Sequence, residues 1–202
     1  MRLIDTHSHL FLEEFSEDLP QVIERARSAG VTHIFMPNID STTIDSMLSV
    51  CNTYNDYCFP MIGLHPTSVN ADYEKELEIV ARELRSFNKY IAIGEVGMDL
   101  YWDKTFLKEQ QIVLDKQINW ALEYDLPVVI HCRDAFGYIY NVLEPYKNTS
   151  LKGVFHSFTG TDDEAARILE FSCFLIGING VVTFKKLRLR EVLPQIPLAK
   201  IV

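Results

Sequence analysis

The sequence lacks most of the features that mark exported, membrane-bound or disulfide-stabilised proteins. Its four cysteines, Cys51, Cys58, Cys132 and Cys173, contain no Cys-x-x-Cys pair and are too sparse for a disulfide scaffold, so we expect reduced thiols. No run approaches the ~18 uninterrupted apolar residues of a membrane span, and charged residues near the N-terminus replace the apolar segment of a secretory signal. These absences predict a cytoplasmic protein without a membrane anchor.

Positive charge is also scarce. Lysine and arginine total 19 against 28 aspartates and glutamates, which gives a net charge of −9 and argues against a broad electrostatic grip on duplex nucleic acid. A local phosphate site is still compatible with this charge. Hydrophobic residues make up 48% of the 202 residues, enough for a substantial core, and no linker or low-complexity tract divides the chain. We therefore expect one domain over residues 1–202, and a monomer.

Short apolar runs alternate with segments of helical period, which is typical of repeated strand and helix units around a parallel sheet. Segment 105–125 is the clearest predicted helix. Eight such units predict a (β/α)8 TIM barrel, although barrels of this kind usually need ~250 residues. A doubly wound sheet would place a glycine-rich loop after the first strand, where this chain has Asp-Thr-His-Ser-His instead. The predicted strands are Leu3–Ile4, His33–Met36, Phe59–Leu64, Tyr90–Ile93, Pro127–Ile130, Gly153–Phe155, Cys173–Ile178 and Ala199–Val202.

The first predicted strand runs directly into His7 and His9. Side chains alternate across a strand, so both imidazoles leave the same face, and imidazole is a common ligand of zinc-like metals. An isolated His-x-His pair also arises at ordinary strand ends without binding anything. If the strand continues, Asp5 lies on the same face, where it either orients a histidine or caps a turn.

Metal-ligating residue types recur at the ends of the predicted strands, where TIM barrels carry their sites. His33 is the exception because it begins a strand, and we expect it to be structural. A metal centre accounts for the others better than chance placement does. They are His7 and His9 on the first strand, His65 on the third, Glu95 on the fourth, His131 on the fifth and His156 on the sixth.

Glu95 lies between two glycines at an apolar strand end, where an unpaired carboxylate would be costly to desolvate. Its two oxygens can bridge a pair of cations, and pairing with an arginine is the alternative. Arg133 follows His131 closely and is suited either to a phosphate or to an ion pair with Asp134. Lys185, in a basic run after the seventh strand, is a second candidate for phosphate contact. Cys132 has no context that predicts a nucleophile.

Six motifs, in order along the whole chain, resemble the TatD-type metal-dependent deoxyribonucleases. The resemblance implies a TIM barrel with a two-metal centre held by His7, His9, Glu95, His131 and His156, the glutamate bridging. It also implies that Glu95 acts in catalysis and that His65 lies near the scissile phosphate. The motifs are Ile4-Asp5-Thr6-His7-Ser8-His9-Leu10, Gly63-Leu64-His65-Pro66, Ile93-Gly94-Glu95-Val96-Gly97-Met98-Asp99, Val129-Ile130-His131-Cys132-Arg133-Asp134-Ala135, His156-Ser157-Phe158-Thr159-Gly160 and Val181-Val182-Thr183-Phe184-Lys185.

The implied reaction is hydrolysis of DNA phosphodiester bonds, on single strands or 3′ ends, with two divalent ions such as Mg, Mn or Zn. In the family, an eighth-strand Glu-Thr-Asp motif supplies a further acid, whereas this sequence stops at Val202, so we expect a barrel truncated in its eighth strand. Two alternatives are a small-molecule amidohydrolase or lactonase and a catalytically silent metal-binding relative. Such amidohydrolases commonly bridge their metals with a modified lysine on the fourth strand, where this chain has Glu95.

Overall fold

The computed structural model describes residues 2–86, 89–184 and 189–202, and in them strands alternate with helices along the chain. The strands are β1 (Leu3–Asp5), β2 (Val31–Pro37), β3 (Cys58–Met61), β4 (Ile93–Asp99), β5 (Val128–Arg133), β6 (Gly153–Phe155) and β7 (Phe174–Ile176). The α-helices are α1 (Leu19–Ser28), α2 (Ile44–Thr53), α3 (Tyr73–Ser86), α4 (Leu107–Glu123), α5 (Phe136–Leu143), α6 (Asp162–Leu169) and α7 (Leu189–Val192).

All strand pairings are parallel and follow chain order, as the predicted barrel requires. Strands β1 to β3 form one hydrogen-bonded set and β4 to β7 another, and a bridge between Ile62 and Ile93 joins the two sets. Within the ranges described, hydrogen bonding does not close the barrel between β1 and the last bridge, and Ile4 is 53% exposed. The α/β TIM-barrel prediction is confirmed. The eighth predicted strand is replaced by a 3-10 turn, Leu198–Lys200, and a single bridge from Ile201 to Ile176.

Strand β4 differs most from its predicted position. The apolar run Tyr90–Ile93 predicts a strand that ends before Glu95, yet β4 runs from Ile93 to Asp99 and every residue in it is buried. Glu95 and Asp99 therefore both belong to the strand. An apolar run cannot reveal this because the interior of the barrel mouth holds partners for charged side chains. Strand β5 likewise extends past its predicted end and contains His131.

Helix α4 covers β4 from outside the barrel and is close to the predicted segment 105–125. Leu114, Ile118 and Ala121 are buried on its inner face, as the apolar period predicts. Two buried glutamines share that face, Gln110 and Gln117, which are seven residues and hence about two turns apart. Polar side chains in such a position need hydrogen-bond partners. Gln110 has them at the end of β4 and Gln117 in the loop after β3.

The contact between β4 and β5 depends on Gly97. Its φ angle is +143°, a value that residues with a Cβ rarely adopt, and a Cβ at this position would overlap the carbonyl oxygen of His131. The two residues are paired across the strands. Glycine thus sets the close approach that brings His131 beside the carboxylates of β4. In the same described ranges, no helix has the length and apolar composition needed to cross a bilayer.

Candidate metal centre

His7 and His9 lie on the turn that follows β1. The strand ends at Asp5, whose Oδ1 accepts a hydrogen bond from the His7 backbone N–H at 3.1 Å, so Asp5 caps the turn, which was one of its two expected roles. The Nε2 atoms of the two histidines are 3.2 Å apart. The two rings converge as predicted, but on a turn and not by alternation along a strand, because β1 ends before either histidine.

Glu95 is 3% exposed, and both of its oxygens contact histidines. Oε2 lies 3.0 Å from His7 Nε2 and 3.5 Å from His9 Nε2. Oε1 lies 3.0 Å from His131 Nδ1 and 3.8 Å from His65 Nε2. The carboxylate is thus paired with histidines from three other strand ends, and no arginine of the described residues contacts it.

These contacts divide the donors into two groups that share Glu95. One contains His7 and His9, the other His65 and His131, and within each group the donor atoms lie within 4.8 Å of one another. The structure thus brings together four of the five predicted ligands. It places His65, expected beside the phosphate, in the second group. His156 belongs to neither, and its ring stacks on His7 with centroids 3.4 Å apart and an interplanar angle of 11°.

The donor set fits divalent cations. Two atoms that each lie about 2.1 Å from an ion, at right angles, are about 3.0 Å apart, which matches the distances from Glu95 to His7 and to His131. The facing Nε2 atoms of His7 and His9 contact Glu95, and with each ring proton on Nδ1 their lone pairs would bind one cation together. Their Nδ1 atoms are buried, and neither has a hydrogen-bond partner in the part of the chain that is described.

Burial and hydrogen bonding have opposing effects on the charged groups of the cluster. Burial alone would raise the pKa of Glu95, but hydrogen bonds from His131, His7 and His9 hold that pKa well below its ordinary value. Burial also works against protonation of His131, yet its contacts with Glu95 and Asp99 raise the pKa overall. The cluster therefore keeps its central carboxylate ionised, which is the form that binds cations.

His65 and His156, the other two histidines around Glu95, are neutral at pH 7. Burial is the main cause of the low pKa of His65, about 4, and the nearby Glu95 offsets only part of the effect. Burial likewise lowers the pKa of His156 to about 3, and the adjacent His7 contributes in the same direction. Neutral imidazoles keep one ring nitrogen free as a ligand or hydrogen-bond acceptor.

Asp99 supports His131 from the second ring nitrogen, a role that the sequence left unassigned. Its Oδ2 lies 2.9 Å from His131 Nε2, while Nδ1 of the same ring faces Glu95. A carboxylate on the outer nitrogen fixes the orientation of a ligating histidine and increases its basicity. Asp99 belongs to the motif that contains Glu95, and its position four residues further along the chain was the only indication of this role.

The buried glutamines of α4 and a buried asparagine hold the main chain around the site, and sequence reasoning missed all three. The amide of Gln110 accepts the N–H of Asp99 at 2.9 Å and donates to its carbonyl at 3.2 Å. Gln117 holds Leu64, the residue before His65, in the same way. Asn38, fully buried after β2, donates to the carbonyls of residues 40 and 63 and accepts from the Thr43 hydroxyl.

The other candidate residues lie around the cluster. The guanidinium of Arg133 is stacked 3.7 Å from the ring centroid of Tyr101 and is not paired with Asp134. Burial raises the pKa of Cys132 to about 12, which disfavours the thiolate and agrees with its exclusion as a nucleophile. His33 lies on β2 away from the cluster, as expected, with Nδ1 2.9 Å from the Thr32 hydroxyl. Lys185 lies outside the described residues.

A parallel barrel with this histidine and glutamate cluster at its strand ends defines a metal-dependent hydrolase. A family model described as TatD related DNase matches residues 4–202. The chain belongs to this TatD family. An uncharacterized metal-dependent hydrolase of Bacillus subtilis, YabD, is 35% identical over 196 residues, which cover 96% of this chain and 76% of the relative.

Two further relatives support this assignment. A protein of Pantoea ananatis called 3′-5′ ssDNA/RNA exonuclease TatD is 31% identical over 197 residues, which cover 96% of this chain and 75% of the relative. The crystal structure of YjjV, a TatD homologue from Escherichia coli, superimposes with a TM-score of 0.91 at 31% identity, covering all of this chain and 77% of that one.

Proposed function

We propose that this chain hydrolyses phosphodiester bonds in DNA, from single strands or 3′ ends, with two divalent cations at the Glu95 centre. The observation that carries the proposal is the division of the cluster, in which Oε2 of Glu95 faces His7 and His9 and Oε1 faces His131. A shared carboxylate between two ligand sets is what a two-metal hydrolytic site requires. The substrate class is supported by the relative called an ssDNA/RNA exonuclease.

Bound divalent ions would neutralise charge on the phosphate and increase the acidity of the attacking water. His7, His9, His131 and Glu95 would hold them, and we assign His156 to the same ligand set. Asp99 maintains the orientation of the His131 ring through its 2.9 Å contact. The histidines come from elements that are far apart in sequence but meet at one barrel end, so the site forms only when the barrel folds.

His65 is suited to act on the substrate. The Thr67 backbone N–H donates to its Nδ1 at 3.2 Å, which places the ring proton of the neutral imidazole on Nε2. That Nε2 lies 3.8 Å from Glu95 Oε1. We assign His65 to hydrogen bonding with a phosphate oxygen in the transition state, a role that needs a donor at this nitrogen.

Arg133 supplies the positive charge beside this centre. Its guanidinium packs with one face on Tyr101, which leaves the in-plane N–H groups free to meet a phosphate oxygen. We assign Arg133, and Lys185 with it, to binding substrate phosphate. With a net charge of −9, the chain needs such local cations and the metal ions to attract a polyanion.

The test follows cleavage of a 5′-labelled single-stranded DNA oligonucleotide after chelation and re-addition of Mg²⁺, Mn²⁺ or Zn²⁺. We expect metal-dependent products that shorten from the 3′ end, slower cleavage of blunt duplex, and about two ions per chain by plasma mass spectrometry. The cleavage rate of an RNA oligonucleotide of the same sequence measures the preference between deoxyribose and ribose substrates. The Glu95→Gln variant keeps the side-chain volume, and we expect it to lose both bound metal and cleavage.

Cyclic amides and lactones are assayed beside DNA under the same metal conditions. Turnover of these small molecules without DNA cleavage would refute the nuclease proposal and support the amidohydrolase alternative. Metal binding without turnover of any substrate would support a catalytically silent relative. His33→Ala is the matched histidine control, since His33 lies outside the cluster, and its cleavage rate should equal that of the wild type.

A further inference from the structure

Two neighbouring aromatic side chains project at the mouth of the barrel, on the loop that leaves β4. Tyr101 is 50% exposed and Trp102 is 77% exposed. Their ring centroids are 4.6 Å apart and the rings are perpendicular. The exposed faces of these two rings are apolar surface that a ligand can cover.

The guanidinium group of Arg133 packs against this aromatic pair. Its guanidinium carbon lies 3.7 Å from the Tyr101 centroid and 5.5 Å from the Trp102 centroid, within the range of cation–π attraction. A ring held in this way loses little conformational freedom when a ligand stacks on it. The entropic cost of binding is lower as a result.

The aromatic pair is joined to the metal centre through Asp99. One carboxylate oxygen of Asp99 lies 2.9 Å from His131 Nε2, and the other accepts the backbone N–H of Tyr101 at 3.1 Å. The Leu100 N–H donates to the Arg133 carbonyl at 2.9 Å, which ties the same loop to the end of β5. Asp99 thus contacts both a histidine of the centre and the backbone that carries the aromatic pair.

We propose that Tyr101 and Trp102 form a stacking platform for a nucleobase of the bound single strand. This inference rests on the proposed function, because it takes the held phosphate as its anchor. Stacking on aromatic side chains tolerates any base. It also suits a chain of net charge −9, which has little basic surface with which to follow a phosphate backbone.

Binding is measured with an oligo(dT) strand whose phosphorothioate linkages resist hydrolysis, on metal-loaded protein. Fluorescence anisotropy of the labelled strand gives Kd for the wild type and for Trp102→Ala, and an abasic strand of equal length supplies the same backbone without bases. We expect Trp102→Ala to weaken oligo(dT) binding roughly tenfold or more and to leave abasic binding unchanged. Tyr101→Ala should also weaken oligo(dT) binding, with a smaller loss on the abasic strand because Arg133 stacks on this ring.

Tyr124→Ala is the matched control, because Tyr124 is an exposed aromatic residue at the other end of α4. It should bind both strands as the wild type does. A second readout uses the indole itself. In a Trp120→Phe background Trp102 is the only tryptophan, and a stacked base should quench its fluorescence with the same Kd.

Equal Kd values for Trp102→Ala and Tyr124→Ala would overturn the platform, as would equal losses on the oligo(dT) and abasic strands. Wild-type cleavage of a normal oligonucleotide is measured in parallel. Cleavage without any effect of Trp102→Ala on affinity leaves the nuclease function standing and removes only the platform. Absence of both cleavage and binding overturns the two proposals together.

Discussion

The side-chain amide of Gln117 makes two hydrogen bonds with the main chain of Leu64. Its oxygen accepts the Leu64 N–H at 2.7 Å, its nitrogen donates to the Leu64 carbonyl at 3.3 Å, and the glutamine is fully buried. Helix α4 thereby holds the residue that precedes His65. Gln110 repeats the arrangement at Asp99. One outer helix thus holds the main chain at two positions beside the site, in the loop after β3 and at the end of β4.

Replacing Gln117 with alanine should destabilise the protein and displace His65. The change leaves the N–H and carbonyl of Leu64 buried without partners, and each such group costs about 1–3 kcal/mol. We expect the free energy of unfolding in urea to fall by about 2–4 kcal/mol, with a lower turnover rate at temperatures where the variant is folded. Lys116→Ala, on the exposed side of the same helix turn, is the control. Equal stability of the two variants would contradict the structural role.

Loss of His131, a proposed metal ligand, should remove metal, whereas loss of His33 should not. His131 contacts both Glu95 and Asp99, so His131→Ala leaves two carboxylates facing each other without their shared partner. We expect its metal content, measured by plasma mass spectrometry after dialysis, to fall by half or more and its hydrolytic rate to fall at least tenfold. His33→Ala should keep the wild-type metal content and change only the unfolding midpoint. Retained metal in His131→Ala would contradict the assignment of His131 as a ligand.

The sequence was sufficient to predict the barrel and most of the site because both follow from local patterns. The His-x-His spacing predicts two rings on one side of the first strand, and His7 and His9 do converge, although they lie on the turn that follows β1. His131 and Glu95 follow from the rule that parallel strands end at the same face of a barrel. Chain order with parallel neighbours then places these side chains together, with no need to know any individual distance.

The rest could not be predicted because it depends on contacts between distant positions. Gln117 and Leu64 are 53 residues apart, and nothing in the local pattern of α4 separates a buried glutamine with a partner from an exposed one. The stack of His156 on His7, instead of a place in either donor group, depends on the side-chain packing of strands that are remote in sequence. Glu95 and Asp99 interrupt the apolar pattern of β4, so the apolar run Tyr90–Ile93 places the strand nearer the N-terminus than the structure does.

The thiols should differ sharply in reactivity. Cys51 and Cys58 are buried, and burial is the main cause of their raised pKa values, about 12 and about 11. A raised pKa means less thiolate at pH 8 and slower alkylation. Cys173 is exposed. We expect iodoacetamide to label Cys173 of the native protein at least tenfold faster than the two buried thiols, as followed by peptide mass spectrometry.

Unfolding in urea should remove this difference between the thiols. The Cys173→Ser variant is the control, because it should lose the fast-labelling peptide and change nothing else. Fast labelling of Cys51 in the native protein would show that α2 opens readily and would contradict the packing described above.

Gly97 and Gly137 should respond oppositely to the same substitution. At Gly97 the φ angle is +143° and a Cβ would overlap the His131 carbonyl, so Gly97→Ala must push β4 and β5 apart or strain the backbone. Overpacking and a disfavoured φ together cost about 3 kcal/mol or more, and because Gly97 is paired with His131 the change should also reduce metal affinity. Gly137 lies in α5, where the methyl group of an alanine would meet open space, and alanine there should stabilise the helix by up to about 1 kcal/mol. Urea unfolding of the two variants measures both shifts in stability. A Gly97→Ala protein with wild-type stability and metal content would contradict the requirement for close approach of β4 and β5 at this position.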